Sequence, residues 1–192
     1  MKLYLVIIGC AMLIVSAIVS LIKNLSFLYV FAFTAVATAM VIAFDGLFAG
    51  LCRALPKRCA DYTQKRFCVS AKEKSAYEKM KIRKWKDKVP EIGHLTGFRK
   101  NKLAQPQNAA YVKRFLTETC YGEIVHFVGL FTGIFLLPFF FLTEIWFAVA
   151  LPVACINAVL NFPMICIQRY NRYKLTILHE SLLRKEKRAK IE

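Results

Sequence analysis

The chain has 192 residues, a formal net charge of +16, and a sequence that is 57% hydrophobic. A disordered basic chain is less apolar than this, and a soluble domain rarely joins such charge to long apolar runs. The two properties must therefore be segregated along the sequence.

The first two elements are apolar. Residues 3–22 and 25–44 are each twenty residues without a charge. At about 1.5 Å rise per residue, each is long enough to cross the roughly 30 Å hydrocarbon layer. Lys2 gives the first run a short basic start, as in a signal peptide. Two features argue against cleavage: the run exceeds a signal core of about 7–15 residues, and a second spanning run follows after only Lys23 and Asn24. Asp45 and Gly46 are expected to close the second helix, with 47–51 as an interfacial extension.

From Arg53 to Glu123 the chain turns polar and basic, with 18 Lys or Arg against 7 Asp or Glu, a net of +11. Residues 72–89 read as a helix with Tyr77, Met80, Ile82, Trp85 and Val89 at three- and four-residue spacings. That pattern predicts an interfacial helix on anionic lipid, with Trp85 at headgroup level. Pro90 should end it, and 90–102 should be a structured loop. A further helix over 106–123 leads directly into the next apolar run.

Apolar character resumes at 124–143, is interrupted by Glu144, and continues over 145–167. Pro138, Pro152 and Pro163 predict kinks or half-helices inside a bundle. Asn157 and Asn161, one turn apart, share a face that should look into the protein. Interhelical glue and substrate contact both remain open for them. The tail 168–192 carries 8 Lys or Arg against 3 acids, a net of +5.

The expected fold class is thus all-α: a polytopic membrane protein of about four transmembrane helices with cytoplasmic interfacial helices. Its parts are a hairpin (1–52), a basic segment (53–123), a second hairpin (124–167) and a basic tail (168–192). The positive-inside rule places the basic segment, the tail and both termini in the cytoplasm.

Seven cysteines include no close CxxC pair, so no zinc site is suggested. No nucleophile elbow, Walker A, HExxH or dinucleotide fingerprint is present, and no cofactor is expected. The positive charge is explained by membrane apposition, so nucleic acid is not an expected partner. His179, in the basic tail, reads as solvated surface.

Three stretches carry candidate chemistry. On a helix, Thr119, Glu123 and His126 share a face. His126 is placed to act as a general base, with Glu123 orienting its ring; a structural hydrogen bond between helices is the alternative. His94 lies in a loop between Gly93 and Leu95, where it reads as a second candidate or as ordinary surface. Finally, Gln168, Arg169, Asn171 and Arg172 follow the last apolar run. They read as anchoring charge or as a clamp for phosphate groups, strengthened by Arg83, Lys84 and Lys86.

At these stretches the chain resembles the glycosyl-4,4'-diaponeurosporenoate acyltransferases, small bacterial membrane proteins of carotenoid biosynthesis, and their relatives. The resemblance covers about residues 78–180. Arg83-Lys84-Trp85-Lys86-Asp87-Lys88-Val89-Pro90 is similar to the family's basic tryptophan motif. Gly93 and His94 fall at its glycine and polar positions. Glu118-Thr119, Glu123 and His126 resemble its central signature, with Phe127 in place of a tryptophan. Asn161, Pro163 and Gln168-Arg169-Tyr170-Asn171-Arg172 resemble its last signature, with Tyr173 where a proline is usual.

The resemblance implies transfer of a fatty acyl group from acyl-CoA or a phospholipid to a sugar hydroxyl of a glycolipid acceptor. It implies a multi-pass protein of the bacterial cell membrane. Within it, His126, Glu123 and His94 take catalytic roles. Glu118 and Asn161 position the sugar, and Gln168, Arg169, Asn171, Arg172, Arg83 and Trp85 contact substrate. Another lipid transferase, such as a methyltransferase, and a basic scaffold binding anionic lipid or protein are the competing readings.

Overall fold

The computed structural model describes residues 2–89 and 103–191, and all their regular structure is helical. The long helices are α1 (Lys2–Lys23), α2 (Phe27–Arg53), α5 (Ala109–Thr132) and α6 (Trp146–Arg188), with short α3 (Ala71–Lys79) and α4 (Ile82–Trp85) between them. Four helices are long and apolar enough to cross a membrane. The chain forms two compact units, Met1–Ala54 with Val125–Pro163, and Leu55–Ile124 with Met164–Glu192.

The first unit is built from apolar helices. The expected tight turn joins α1 and α2, with Asn24 left-handed at φ 51°. Ser16 donates to Thr34 at 3.1 Å across the pair, the small-residue contact that lets helices approach in lipid. Val15, Val30, Ala37, Val149 and Trp146 are among its buried core. Leu21, Ile22 and Leu28 stay exposed, which suits helices solvated by hydrocarbon rather than water.

Helix α2 does not close at Asp45 and Gly46 as expected. The continuation expected over 47–51 is part of the same unbroken helix, which runs on to Arg53, and the Asp45 carboxylate finds hydrogen-bond donors inside the unit. After α5, Gly133–Leu142 winds as a 3-10 helix containing Pro138. The Trp146 indole donates to the Leu136 carbonyl of that stretch at 2.8 Å. A Cβ at Gly133 would stand 2.5 Å from the Ala154 Cβ, so only glycine permits this approach to α6.

The second unit holds most of the charge. Val112, Phe115 and Leu116 of α5 pack with Leu175 and Leu182 of α6. The tail is therefore not a solvated anchor: leucines at helical spacing make it the amphipathic end of one 43-residue helix. His179 is correspondingly buried, not exposed, with its Nδ1 3.3 Å from the Tyr62 hydroxyl.

The helix expected over 72–89 is broken. Lys81 is left-handed at φ 55° and separates α3 from α4. Its apolar side chains also take a different partner from the one expected. Ile82 is buried, and Tyr77, Trp85 and Val89 pack around it with Ile167 and Tyr170. Protein covers Ile82 fully and Tyr77, Trp85 and Val89 in part, while Met80 stays exposed. The Trp85 indole donates to the Met80 carbonyl at 3.0 Å.

Candidate functional site

In the first unit, polar side chains from α2, α5 and α6 converge in apolar surroundings. His126 of α5 is half-buried, and its Nδ1 lies 2.9 Å from Asn161 Oδ1 of α6. Asn161 Nδ2 donates to the Asn157 carbonyl at 3.1 Å and to Asn157 Oδ1 at 3.3 Å, and reaches Asp45 Oδ2 at 3.5 Å. With three oxygens facing its NH2 group, Asn161 must turn its own oxygen to the histidine. His126 Nδ1 therefore carries the proton and donates. In the neutral ring Nε2 then keeps its lone pair; it has no hydrogen-bond partner among the described residues.

Asn157 is held just as fully. Its Nδ2 donates to the Gly129 carbonyl and to Thr132 Oγ1, both at 3.0 Å, and reaches Asp45 Oδ1 at 3.4 Å. The Thr132 hydroxyl donates to Asp45 Oδ1 in a very short contact. Gly129 makes room for this: a Cβ there would sit 2.6 Å from Asn161 Oδ1. A neutral imidazole with a fixed tautomer and a free Nε2 is chemically a proton acceptor.

In the second unit, two arginines of α6 form an ion-pair cluster. Arg169 donates to both Glu73 oxygens, at 2.5 and 2.9 Å, and to Glu123 at 2.7 Å. It also donates to the backbone carbonyls of Arg66 and Cys68, which uses all five of its N–H groups. Arg172, 1% exposed, donates to Glu123 at 2.5 Å, to the Phe67 carbonyl, and to both the hydroxyl and the carbonyl of Thr119. The Arg169 guanidinium holds Glu73 below the usual carboxylate range, against the opposing effect of burial. Burial, and then the bond to Glu73, push the Tyr77 hydroxyl up.

Two expectations change here. Glu123 does not orient His126, because its oxygens accept from Arg169 and Arg172; Asn161 takes that place instead. The N–H groups of Arg169, and four of the five of Arg172, are committed to protein acceptors. That arrangement tethers residues 66–73 to α5 and α6 rather than leaving a phosphate clamp.

The remaining expected residues are placed as follows. Glu118 is half-buried on α5. Gln168 is half-buried beside Gly122, whose Cβ would come 2.9 Å from Gln168 Nε2. Asn171 accepts from Lys86 at 3.3 Å. Arg83 donates to the Tyr170 hydroxyl and to Glu78, both at 2.7 Å, and its side chain stays largely exposed. It borders an open recess with Lys74, Lys81, Lys84 and Glu78, four cations against one carboxylate. His94 and Gly93 lie outside the described residues. Sequence reasoning missed Asp45, Thr132 and Glu73. Asp45 carried a usable signal, an acid inside a long apolar run; Glu73 carried none, since its partner is 96 residues away.

The sequence model of the CrtO family, glycosyl-4,4'-diaponeurosporenoate acyltransferase, matches residues 59–181. The chain belongs to this acyltransferase family. No curated protein and no solved structure gives a significant match. The matched span includes His126, Asn157 and Asn161 of the first unit, and the Glu73, Glu123, Arg169 and Arg172 cluster of the second. It leaves out α1, α2 and Asp45. Among the described residues, no group of three or more His, Cys, Asp or Glu is arranged to hold a metal ion.

Proposed function

We propose that this family member is a membrane O-acyltransferase that moves a fatty acyl group onto a sugar hydroxyl of a glycolipid. A glycosylated carotenoid is the acceptor class that the family description supports. The observation that carries the reading is the His126 Nδ1 to Asn161 Oδ1 contact of 2.9 Å. It leaves Nε2 free as a base beside a polar cluster that is set among apolar helices.

In the proposed reaction, Nε2 removes the proton of the sugar hydroxyl as its oxygen attacks the acyl carbonyl carbon. The resulting tetrahedral intermediate collapses with cleavage of the carbonyl carbon's bond to sulfur or oxygen of the donor. The imidazolium returns its proton to the departing thiolate or alkoxide, so His126 ends as it began. No covalent enzyme intermediate is needed. An apolar cavity of about 50 Å3 between α1, α2 and α6 reaches Asn157, room for part of a lipid tail. Acyl-CoA and phospholipid donors both carry phosphate, which the exposed Arg83, Lys81 and Lys84 suit better than the committed Arg169. Glu118 remains a proposed contact of the sugar, and His94 a proposed alternative base or donor to the developing oxyanion. The strongly basic segments favour a cell-membrane orientation with both termini cytoplasmic.

The test is turnover by purified protein in vesicles, given a glycolipid acceptor and, separately, a labelled acyl donor and a labelled methyl donor. Acyl transfer by the wild type and a loss of roughly 10²–10⁴-fold in His126→Ala are expected for a general base. Wild-type-like turnover by His126→Ala refutes the assignment, and methyl transfer without acyl transfer refutes the reaction.

A further inference from the structure

Asp45 is a carboxylate within a 27-residue helix that is otherwise uncharged until its terminal Arg53. Such a group is costly in a membrane and persists where it has a task. Its two oxygens divide the neighbouring donors. Oδ1 accepts from Thr132 and faces Asn157 Nδ2 at 3.4 Å; Oδ2 faces Asn161 Nδ2 at 3.5 Å. The amide contacts are long, so the carboxylate acts on the amides chiefly through its charge. Among the described residues it is the one side chain with polar contacts to both asparagines and Thr132.

Each asparagine depends on the other. Asn157 presents its oxygen to Asn161 because its own NH2 is turned toward Asp45, Thr132 and the Gly129 carbonyl. Asn161 presents its oxygen to His126 because its NH2 is turned toward Asp45 and Asn157. Reversing either amide would set oxygen against carboxylate.

We propose that Asp45 is a positioning residue for His126, acting through Asn157 and Asn161 to lock the imidazole with its proton on Nδ1 and its lone pair on Nε2. This rests on the reading of His126 as the base. It also makes the α1–α2 hairpin, which lies outside the family-matched residues, part of the catalytic unit. The wrong tautomer would present Nε2–H to the sugar hydroxyl and leave no acceptor for its proton.

Asp45→Asn is the informative substitution because it keeps shape and removes charge. Thr132 and Asn157 both donate toward the Oδ1 position, so the new NH2 takes the Oδ2 position and faces the NH2 of Asn161. Two donors then oppose each other, and the tautomer is no longer fixed. The experiment uses the full chain in vesicles, with 15N-labelled histidine followed by solid-state NMR, alongside steady-state kinetics. In the wild type, the His126 signals should show a protonated Nδ1 and an unprotonated Nε2. In Asp45→Asn, a substantial Nε2–H population should appear. The kcat should fall roughly 10- to 100-fold, as for outer partners that orient histidines, with KM for both substrates within about twofold.

A wild-type ring protonated on Nε2 overturns the proposal without any variant. Retention of the Nδ1–H tautomer and full kcat in a folded Asp45→Asn protein overturns it as well. A kcat loss with the tautomer unchanged also overturns it, since that is the signature of a merely structural residue. If instead His126→Ala stays active, the base assignment fails, while the tautomer spectra still decide whether Asp45 positions the ring.

Discussion

Replacing Arg172 with methionine tests whether the second unit is held together by its buried ion pairs. The Arg172 side chain is 2% exposed and that of Glu123 14%. Methionine fills similar space with no donor. The change strips one guanidinium from Glu123 and leaves the carbonyls of Phe67 and Thr119 without their side-chain donor. Breaking a buried pair by deleting one partner costs about 3–5 kcal/mol. Arg169 still neutralises Glu123 at 2.7 Å, which sets the expectation at the lower end, about 3 kcal/mol. For a unit of this size, that is an apparent Tm lower by about 12 °C or more. The assay is a thermal transition followed by tryptophan fluorescence in a Trp146→Phe background. Only two tryptophans are present, and the remaining one, Trp85, packs in the second unit. A shift smaller than about 4 °C would refute the reasoning, because it would mean that the cluster is solvated rather than buried.

Acid should weaken the same unit through Glu73. Because Arg169 depresses the folded-state pKa of Glu73, its contribution is complete above the unfolded value, about 4.3. It is lost as pH falls from there through the lower folded value. Glu73→Gln should flatten that acid limb, and an unchanged limb in pH-dependent melts would count against the ion pair. In the first unit, Gly129→Ala should place a methyl 2.6 Å from Asn161 Oδ1 and push the amide off His126. Turnover should drop at least tenfold while helical content by circular dichroism stays unchanged, and full activity would show that the contact is dispensable.

The membrane helices were legible because lipid imposes a simple requirement. A spanning helix needs about twenty apolar residues, and the sequence interrupts such runs in only a few places. His126 and Asn161 could each be singled out as polar residues in apolar runs. Their pairing could not, because 35 residues separate them and helical spacing predicts neighbours only along one helix. Glu123, one turn from His126, looked like the natural partner on those terms. Two arginines from another helix offer a carboxylate more charge than a neutral imidazole does, and they capture it. Trp85 illustrates the same gap: amphipathic spacing shows that a face must be covered, not whether lipid or Ile82 and Tyr170 will cover it. The break at Lys81 was hidden because a left-handed lysine leaves no mark in the sequence.

The Asp45 network has a consequence for how the protein is made. Its acceptor oxygens lie on α2, whereas Thr132, Asn157 and Asn161 are 87, 112 and 116 residues further along the chain. At roughly 5–20 residues per second, the ribosome needs on the order of 5–25 s to supply them. During that interval α2 carries a carboxylate with none of its eventual donors, at a cost of roughly 2.5–3.5 kcal/mol if it sits at mid-bilayer. The hairpin should therefore linger at the insertion machinery, or insert with Asp45 near the headgroups, until α6 emerges and draws it in.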